Sequence, residues 1–212
     1  MTTTSGQAPV RRLRRTERRE QILDAATHAF ARSGYAATSL DDVAREASLT
    51  RALLYRHFDS KADLYRAVLD RACQRLVETV GEDDFDETSI PSLLRAAAAD
   101  PDAFRLLFHH TAREPEFREL IDSITTASAE IARRNLANRV PAGPWLEWAS
   151  QLIPTLTIEA VIAWLDSGQP DPDQAAARVD QVVKGVIAAA QPAPGSGRAV
   201  TSSIMASGAP RQ

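Results

Sequence analysis

Apolar residues recur along most of this chain at the three- and four-residue spacing of a helix, and beyond Asp70 no stretch alternates with the period of two that marks a half-buried strand. The densest pattern runs from Thr38 to Lys61, T-S-L-D-D-V-A-R-E-A-S-L-T-R-A-L-L-Y-R-H-F-D-S-K, where three helix starts follow one another. Leu40, Val43, Ala44 and Ala47 form an i, i+3, i+4, i+7 stripe. Thr38 or Ser39 caps it, each followed three residues later by an acid, Asp41 or Asp42, as a capping box requires. Ser48 and Leu49 break the pattern; Thr50 opens a second helix with Leu54 and Phe58 inward, and Ser60 caps a third with Asp63 as its box partner. Upstream, Ile22, Ala25, Ala26, Ala29 and Phe30 share one helix face, which Gly34 terminates because glycine accepts positive φ without steric cost.

Two short amphipathic helices joined by a turn make a helix-turn-helix. From Thr50 to Phe58 the second helix would span about 13 Å, enough to lie across a major groove with its amino end at the base edges. With Leu54 and Phe58 inward, Thr50, Arg51, Ala52, Tyr55, Arg56 and His57 are left outside. Arg51 suits a bidentate contact to guanine, Ala52 a thymine methyl, and Tyr55 a phosphate or base edge. Lys61, at a helix amino terminus, suits phosphate.

These residues carry a family resemblance. From about Glu20 to Leu69, and most specifically in F-A-R-S-G-Y-A-A-T-S (Phe30 to Ser39), V-A-R-E-A (Val43 to Ala47) and L-Y-R-H-F-D-S-K (Leu54 to Lys61), the chain resembles the DNA-binding domain of the TetR family of bacterial transcriptional regulators. The resemblance implies base reading by Thr50, Arg51, Ala52 and Tyr55, and phosphate contacts from Ser39, Tyr55, His57 and Lys61. Two positions depart from the pattern. Ser48 replaces the usual turn glycine, so a left-handed conformation there costs about 1 kcal/mol, and Leu53 replaces a small hydroxyl residue that touches the DNA backbone.

Charge is distributed to match. Residues 1–75 hold fourteen Lys and Arg against nine Asp and Glu, and the remainder eleven against nineteen, so a basic end adjoins an acidic body that DNA repels. The segment R-R-L-R-R-T-E-R-R, residues 11–19, is read either as an arm entering the minor groove or as a neutraliser of phosphates, the second being favoured. Met1 to Gln7 and the Pro, Gly, Ala and Ser-rich tail 191–212 have the composition of disordered chain. The single cysteine, Cys73, excludes an internal disulfide and reads as a packing residue in a reducing cytosol. The apolar runs fall well short of the roughly 20 residues a bilayer needs, and the amino terminus lacks the apolar core of a signal peptide, so no membrane association and a cytoplasmic location are expected.

Beyond Asp70 the pattern predicts a helix opened by Ser89 and Pro91 and running to about Ala99, and another from Pro101 through Phe104, Leu107 and Phe108. A long helix marked by Phe117, Leu120, Ile121, Ile124 and Ile131 follows, then one from Trp145 to about Leu165, bent or interrupted at Pro154. A last helix runs from about Pro172 to Ala190. I-E-A-V-I-A-W-L, Ile158 to Leu165, is apolar on nearly every side and must be covered on both faces, either inside its own subunit or by a second copy. The resemblance implies dimerisation through the last two long helices, with Ile158, Val161, Ile162, Leu165, Val179, Val183 and Val186 at the interface and a palindromic double-stranded operator as the consequence of two-fold symmetry.

Phe104, Phe108, Trp145, Trp148 and Leu152 are the candidates for an apolar effector pocket, although aromatics at helical spacing serve more often as core. Glu159, alone among apolar neighbours, is read mainly as an exposed residue. His109, His110 and Glu114 have the chemistry of metal ligands, but adjacent histidines project about 100° apart on a helix, so no metal site is expected. No phosphate-binding glycine motif, nucleophile elbow or His–nucleophile pair is present, which argues against an enzyme. The expectation is an all-α chain: a basic arm (1–19), a three-helix helix-turn-helix domain (20–70) with a shared linking helix (about 60–80), a helical effector-binding and dimerisation domain (71–190) and a tail (191–212). It would be a repressor released by a small-molecule effector, without a cofactor; the alternative is an activator or a helical ligand-binding protein on the same fold.

Overall fold

The computed structural model describes residues 14–81, 85–111 and 114–192. Residues 1–13 and 193–212, with Arg11, Arg12 and nearly all of the two segments of disorder-prone composition, lie outside the described residues. Among those described there are nine α-helices and no strand: α1 Arg15–Ala37, α2 Leu40–Glu46, α3 Arg51–Tyr55, α4 Lys61–Val80, α5 Ser89–Ala99, α6 Pro101–Arg105, α7 Arg118–Leu136, α8 Pro144–Asp166 and α9 Pro172–Ala190. A π-helical turn at Leu106–His110 and a 3₁₀ turn at Pro115–Phe117 lie between α6 and α7.

Local chemistry explains most boundaries. Ser39 caps α2, and its box partner is Asp42. Thr38 closes α1 instead, its hydroxyl donating to the carbonyls of Gly34 at 2.7 Å and Ala29 at 3.2 Å. Gly34 takes φ 77°, where a side chain would be strained, and so bends the end of α1. Asp100 caps α6, with Pro101 in the first turn where its missing N–H costs nothing.

Four expectations change. α1 begins at Arg15, so three arginines of the supposed arm, Arg15, Arg18 and Arg19, sit on a helix. α3 stops at Tyr55, and the chain from Arg56 to Phe58 leaves the helix, so the recognition helix is five residues, about 7.5 Å by its rise. Thr88, not Ser89, precedes α5; Ser89 accepts a hydrogen bond from the Asp86 amide. α8 runs unbroken through Pro154, whose ring removes one intrahelical bond within a helix packed along its length against α7 and α9.

That helix also qualifies the membrane reading. Pro144–Asp166 is 23 residues long and reaches a mean hydropathy of 1.2, enough to cross a bilayer by length and composition, although no single apolar run in it is long. In the structure 44% of an 18-residue window of that helix is buried against neighbouring helices, as in the core helix of a bundle.

The first hydrophobic core joins α1 to α4 around Ile22, Phe30, Val43, Leu54, Leu64 and Tyr65, all at most 1% exposed. It does not stop at residue 70. Leu106, Leu107 and Phe117 belong to the same core, so the π turn and the start of α7 pack directly into the helix-turn-helix half. Rings of Phe30, Tyr35, Tyr65 and Phe117 lie 4.6–6.2 Å apart, and the Tyr65 hydroxyl meets the buried Thr111 hydroxyl at 3.1 Å. Arg71 on α4 reaches Asp24 at 2.7 Å and Glu20 at 3.1 Å on α1, and His28 on α1 meets Asp102 on α6 at 2.8 Å. Cys73 is half-buried, and burial pushes its thiol up to about 11, keeping it protonated and unreactive near neutral pH.

Candidate nucleic-acid interface

The turn between α2 and α3 orients the recognition face. Ser48 takes the left-handed conformation at φ 55°, as the glycine-to-serine departure demands, and carries the associated strain of about 1 kcal/mol. Gln21 on α1 fastens the turn by donating to the Ala47 carbonyl at 2.9 Å. Leu54 and Phe58 are buried, at 0% and 2% exposure, so the remaining side chains of the segment are forced outward.

Arg51, Ala52, Tyr55 and Thr50 are all exposed on that outer face. Thr50 caps α3 by accepting from the Leu53 amide at 3.3 Å, which leaves its own O–H to donate outward. Arg51 is held rather than free. Its guanidinium donates to Asp41 of α2 at 2.9 Å and to the Tyr55 hydroxyl at 3.1 Å, and lies 5.4 Å from the Tyr55 ring centre. The bond to Tyr55, with the Asp41 charge, raises the Arg51 pKa further. Asp41 was legible only as an acid favouring a helix start; its role as the positioning residue for Arg51 depends on a contact across the turn.

Ser39 is exposed, but its hydroxyl is committed to the capping box, donating to Asp42 Oδ2 at 2.6 Å and accepting from the Asp42 amide at 3.2 Å. Hydrogen bonds from Ser39, then from Arg45, hold the Asp42 carboxyl down at about 2. His57 is half-buried, and burial, followed by the charges of Arg15, Arg56, Arg19 and Arg18, lowers its pKa, so the free protein carries a neutral imidazole ringed by arginines. Arg19 also lies over the Phe58 ring at 5.1 Å. The first turns of α1 are thereby brought beside the end of α3, and a sequence run becomes a compact basic patch.

Lys61 departs most from its sequence reading. Its ammonium donates to the Tyr35 carbonyl at 2.8 Å and the Ala36 carbonyl at 3.4 Å, and sits 4.3 Å over the Tyr35 ring. It ties the start of α4 to the end of α1, with one of its three N–H groups left for a phosphate. Asp63 completes the cap by accepting from the Asp59 amide at 3.1 Å, one residue earlier than a standard box.

The effector and dimer residues are less well gathered. Phe104 is buried and stacks on half-buried Phe108 at 4.9 Å, in the core cluster that contains Trp164. Trp145 and Trp148 are instead 63% and 40% exposed. Trp148 and Trp164 are 16 residues apart on one helix, about 24 Å, so the five proposed residues do not line one pocket. Leu152 is half-buried between these ends. A cleft of about 240 Å³ does adjoin Phe104, between α4, α5 and α6. Among the dimer candidates, Val161, Ile162, Leu165 and Val179 are buried in their own subunit, because the end of α8 packs on α5 and α9; they are unavailable to a second copy. Ile158, Val183 and Val186 are half-buried. What remains uncovered is another stripe: Trp148 and Val182 stand out, and a Cβ built on Gly185 meets nothing within 4 Å.

Residues 22–68, which include α2 and α3 whole with parts of α1 and α4, match the family model for bacterial regulatory proteins, tetR family. The helix-turn-helix segment of the chain is thus similar to the DNA-binding domains of the TetR family. Over 128 residues it is 35% identical to the HTH-type transcriptional activator FasR of Mycolicibacterium smegmatis, covering 56% of this chain and 58% of that one. Over 54 residues it is 48% identical to the HTH-type transcriptional regulator TtgR of Pseudomonas putida, covering 26% of each. The chain thus matches little more than half of one relative and about a quarter of the other. A TetR-like transcriptional regulator from Rhodococcus sp. RHA1 shares the fold at a TM-score of 0.74 and 22% identity, over 84% of this chain and 99% of that one. The similarity of all-α fold thus extends well beyond the residues that the family model matches.

Proposed function

We propose that this chain is a cytoplasmic, sequence-specific transcriptional regulator of the TetR family that acts as a homodimer on a palindromic operator and responds to a small-molecule effector. The observation that carries the reading is the outward array of Thr50, Arg51, Ala52 and Tyr55, with Arg51 aimed by Asp41 and Tyr55 beside a basic patch from α1. Neither catalysis nor solvation requires such an array, whereas base recognition does. Tyr55, His57 and the third N–H of Lys61 fix position on the phosphates. Ser39 contributes through its cap, which sets the start of α2.

Two copies meet through the uncovered side of α8 and α9, with Trp148 and Leu152 facing Val182, Gly185 and Val186. Two-fold symmetry then places the recognition helices about one DNA turn, roughly 34 Å, apart. An effector in the second half shifts the population between two spacings of those helices by its differential affinity for them, typically about 1–3 kcal/mol. Repression with release is the main reading. Activation is the second, favoured by the similarity to FasR, a named activator.

Selection of bound duplexes from a random DNA pool at two salt concentrations tests the reading. An enriched palindrome with salt-dependent affinity supports it. Weak binding that tracks salt alone, with no motif, refutes sequence-specific regulation.

A further inference from the structure

We propose that the cleft between α4, α5 and α6 binds a small apolar molecule bearing one positive charge, and that its binding competes with the Asp100–Arg75 link between the two halves of the chain. The inference rests on the effector-responsive reading above and gives it a site and a ligand class.

The cleft exists because α5 presents alanines to it. Ala96 and Ala99 leave open the space that larger side chains would fill, while Leu76, Phe104 and Leu107 supply an apolar wall. At about 240 Å³ it lies below the roughly 300–1,000 Å³ of sites for drug-sized ligands, so it suits one aromatic ring or a short alkyl chain. Phe104 offers that ring a partner.

The charge of the rim selects the head group. Glu78 and Asp100 line the cleft with a single cation, Arg75. Arg75 is already shared, 3.6 Å from Asp100 and 3.6 Å from Glu20 on α1. The rim therefore carries an excess negative charge that attracts a monocation and repels an anion of the same shape. Both Arg75 contacts are longer than a hydrogen bond, so little is lost when one is exchanged.

The same carboxylate connects the site to the DNA-binding half. Asp100 caps α6 by accepting from the Ala103 amide at 3.0 Å, and through Arg75 it is tied to Glu20 near the start of α1. A ligand ammonium at Asp100 repels Arg75 and leaves it to Glu20 alone, so α6 loses one of its links to α4 and α1 when the cleft fills.

Titration calorimetry of the full chain with 4-phenylbutylammonium and 4-phenylbutyrate tests the assignment, since the probes share a ring and chain and differ in charge. The ammonium should bind at least about fivefold more tightly. Asp100→Asn keeps the cap, because asparagine serves there as well as aspartate, and should abolish most of that preference. Ala96→Leu narrows the cleft and should weaken both probes. Equal or tighter binding of phenylbutyrate overturns the charge assignment, and ammonium binding unaffected by both substitutions, or no ammonium binding at all, overturns the site. The selected operator separates the two readings. Ammonium binding at the cleft that leaves operator affinity unchanged refutes the competition as a route to the DNA, whereas an operator released by other compounds with the cleft empty keeps the effector reading and moves its site.

Discussion

Lys61→Ala separates the role read from sequence from the one seen in the fold. A lysine that only anchors phosphate contributes nothing to the protein without DNA. In the structure its ammonium donates to two carbonyls of the α1 end and covers the Tyr35 ring at 4.3 Å. A charged hydrogen bond contributes about 1.5–3 kcal/mol, with the lower end apt for a half-buried carbonyl. An exposed cation–π contact adds about 0.5–1 kcal/mol. The two share one ammonium and do not add fully, so about 2 kcal/mol is the expected loss. At roughly 2–4 °C per kcal/mol for a chain of this size, Tm should fall by about 4–8 °C. Thermal unfolding followed by circular dichroism, without DNA and at equal protein concentration, measures this directly. Operator titration across several salt concentrations then reads the remaining N–H, whose phosphate contact, lost once in each subunit of the proposed dimer, should lower the salt slope by about 1.8. An unchanged Tm with the full loss of slope would refute the structural role and restore Lys61 as a pure anchor.

Arg51→Ala should relax base preference at one position per half-site, roughly tenfold, while leaving the others intact; uniform loss across sequences in a binding selection would remove Arg51 from base reading. Val182→Asp should convert the proposed dimer to a folded monomer in sedimentation, whereas Val161→Asp, at a position wholly buried within the subunit, should unfold the chain. A Val182→Asp dimer would move the interface off α9. The Asp42 carboxyl is depressed to about 2 in the folded state, so its cap is fully present above about pH 4 and is lost as pH falls toward 2. Asp42→Asn should therefore flatten the acid limb of a Tm-against-pH series, and an identical limb would show that other carboxylates govern it.

Much of the interface was legible because helix-turn-helix chemistry is local. Ser39 with Asp42, Thr50, and Ser60 act within three residues of themselves, and the inward pair Leu54 and Phe58 defines by exclusion which neighbours face out. The length of α3 was not legible, since Arg56 and His57 have no residue that forbids a further helical turn; burial of Phe58 on the α1 to α4 core sets the exit of the chain. That Val161, Ile162, Leu165 and Val179 turn into their own subunit was not legible for a related reason. In Ile158 to Leu165 apolar residues occupy nearly every side, so periodicity carries no direction, and only the packing of α5 and α9 showed which side the subunit uses itself.

The sequence by itself determined the helical class, the order and most ends of the helices, and the outward chemistry of Thr50 to Tyr55. Caps, turn residues and the 3.6-residue period act over a few positions, and their free energies do not wait for the rest of the chain. Tertiary structure decided what those side chains meet. Asp41 aims Arg51 across a turn, Lys61 closes on Tyr35 from 26 residues away, and Phe117 enters the helix-turn-helix core. Arg75 comes to stand between Glu20 and Asp100. Each pairing joins residues on different helices, and the angles at which those helices pack follow from how whole faces interdigitate, which no local pattern encodes.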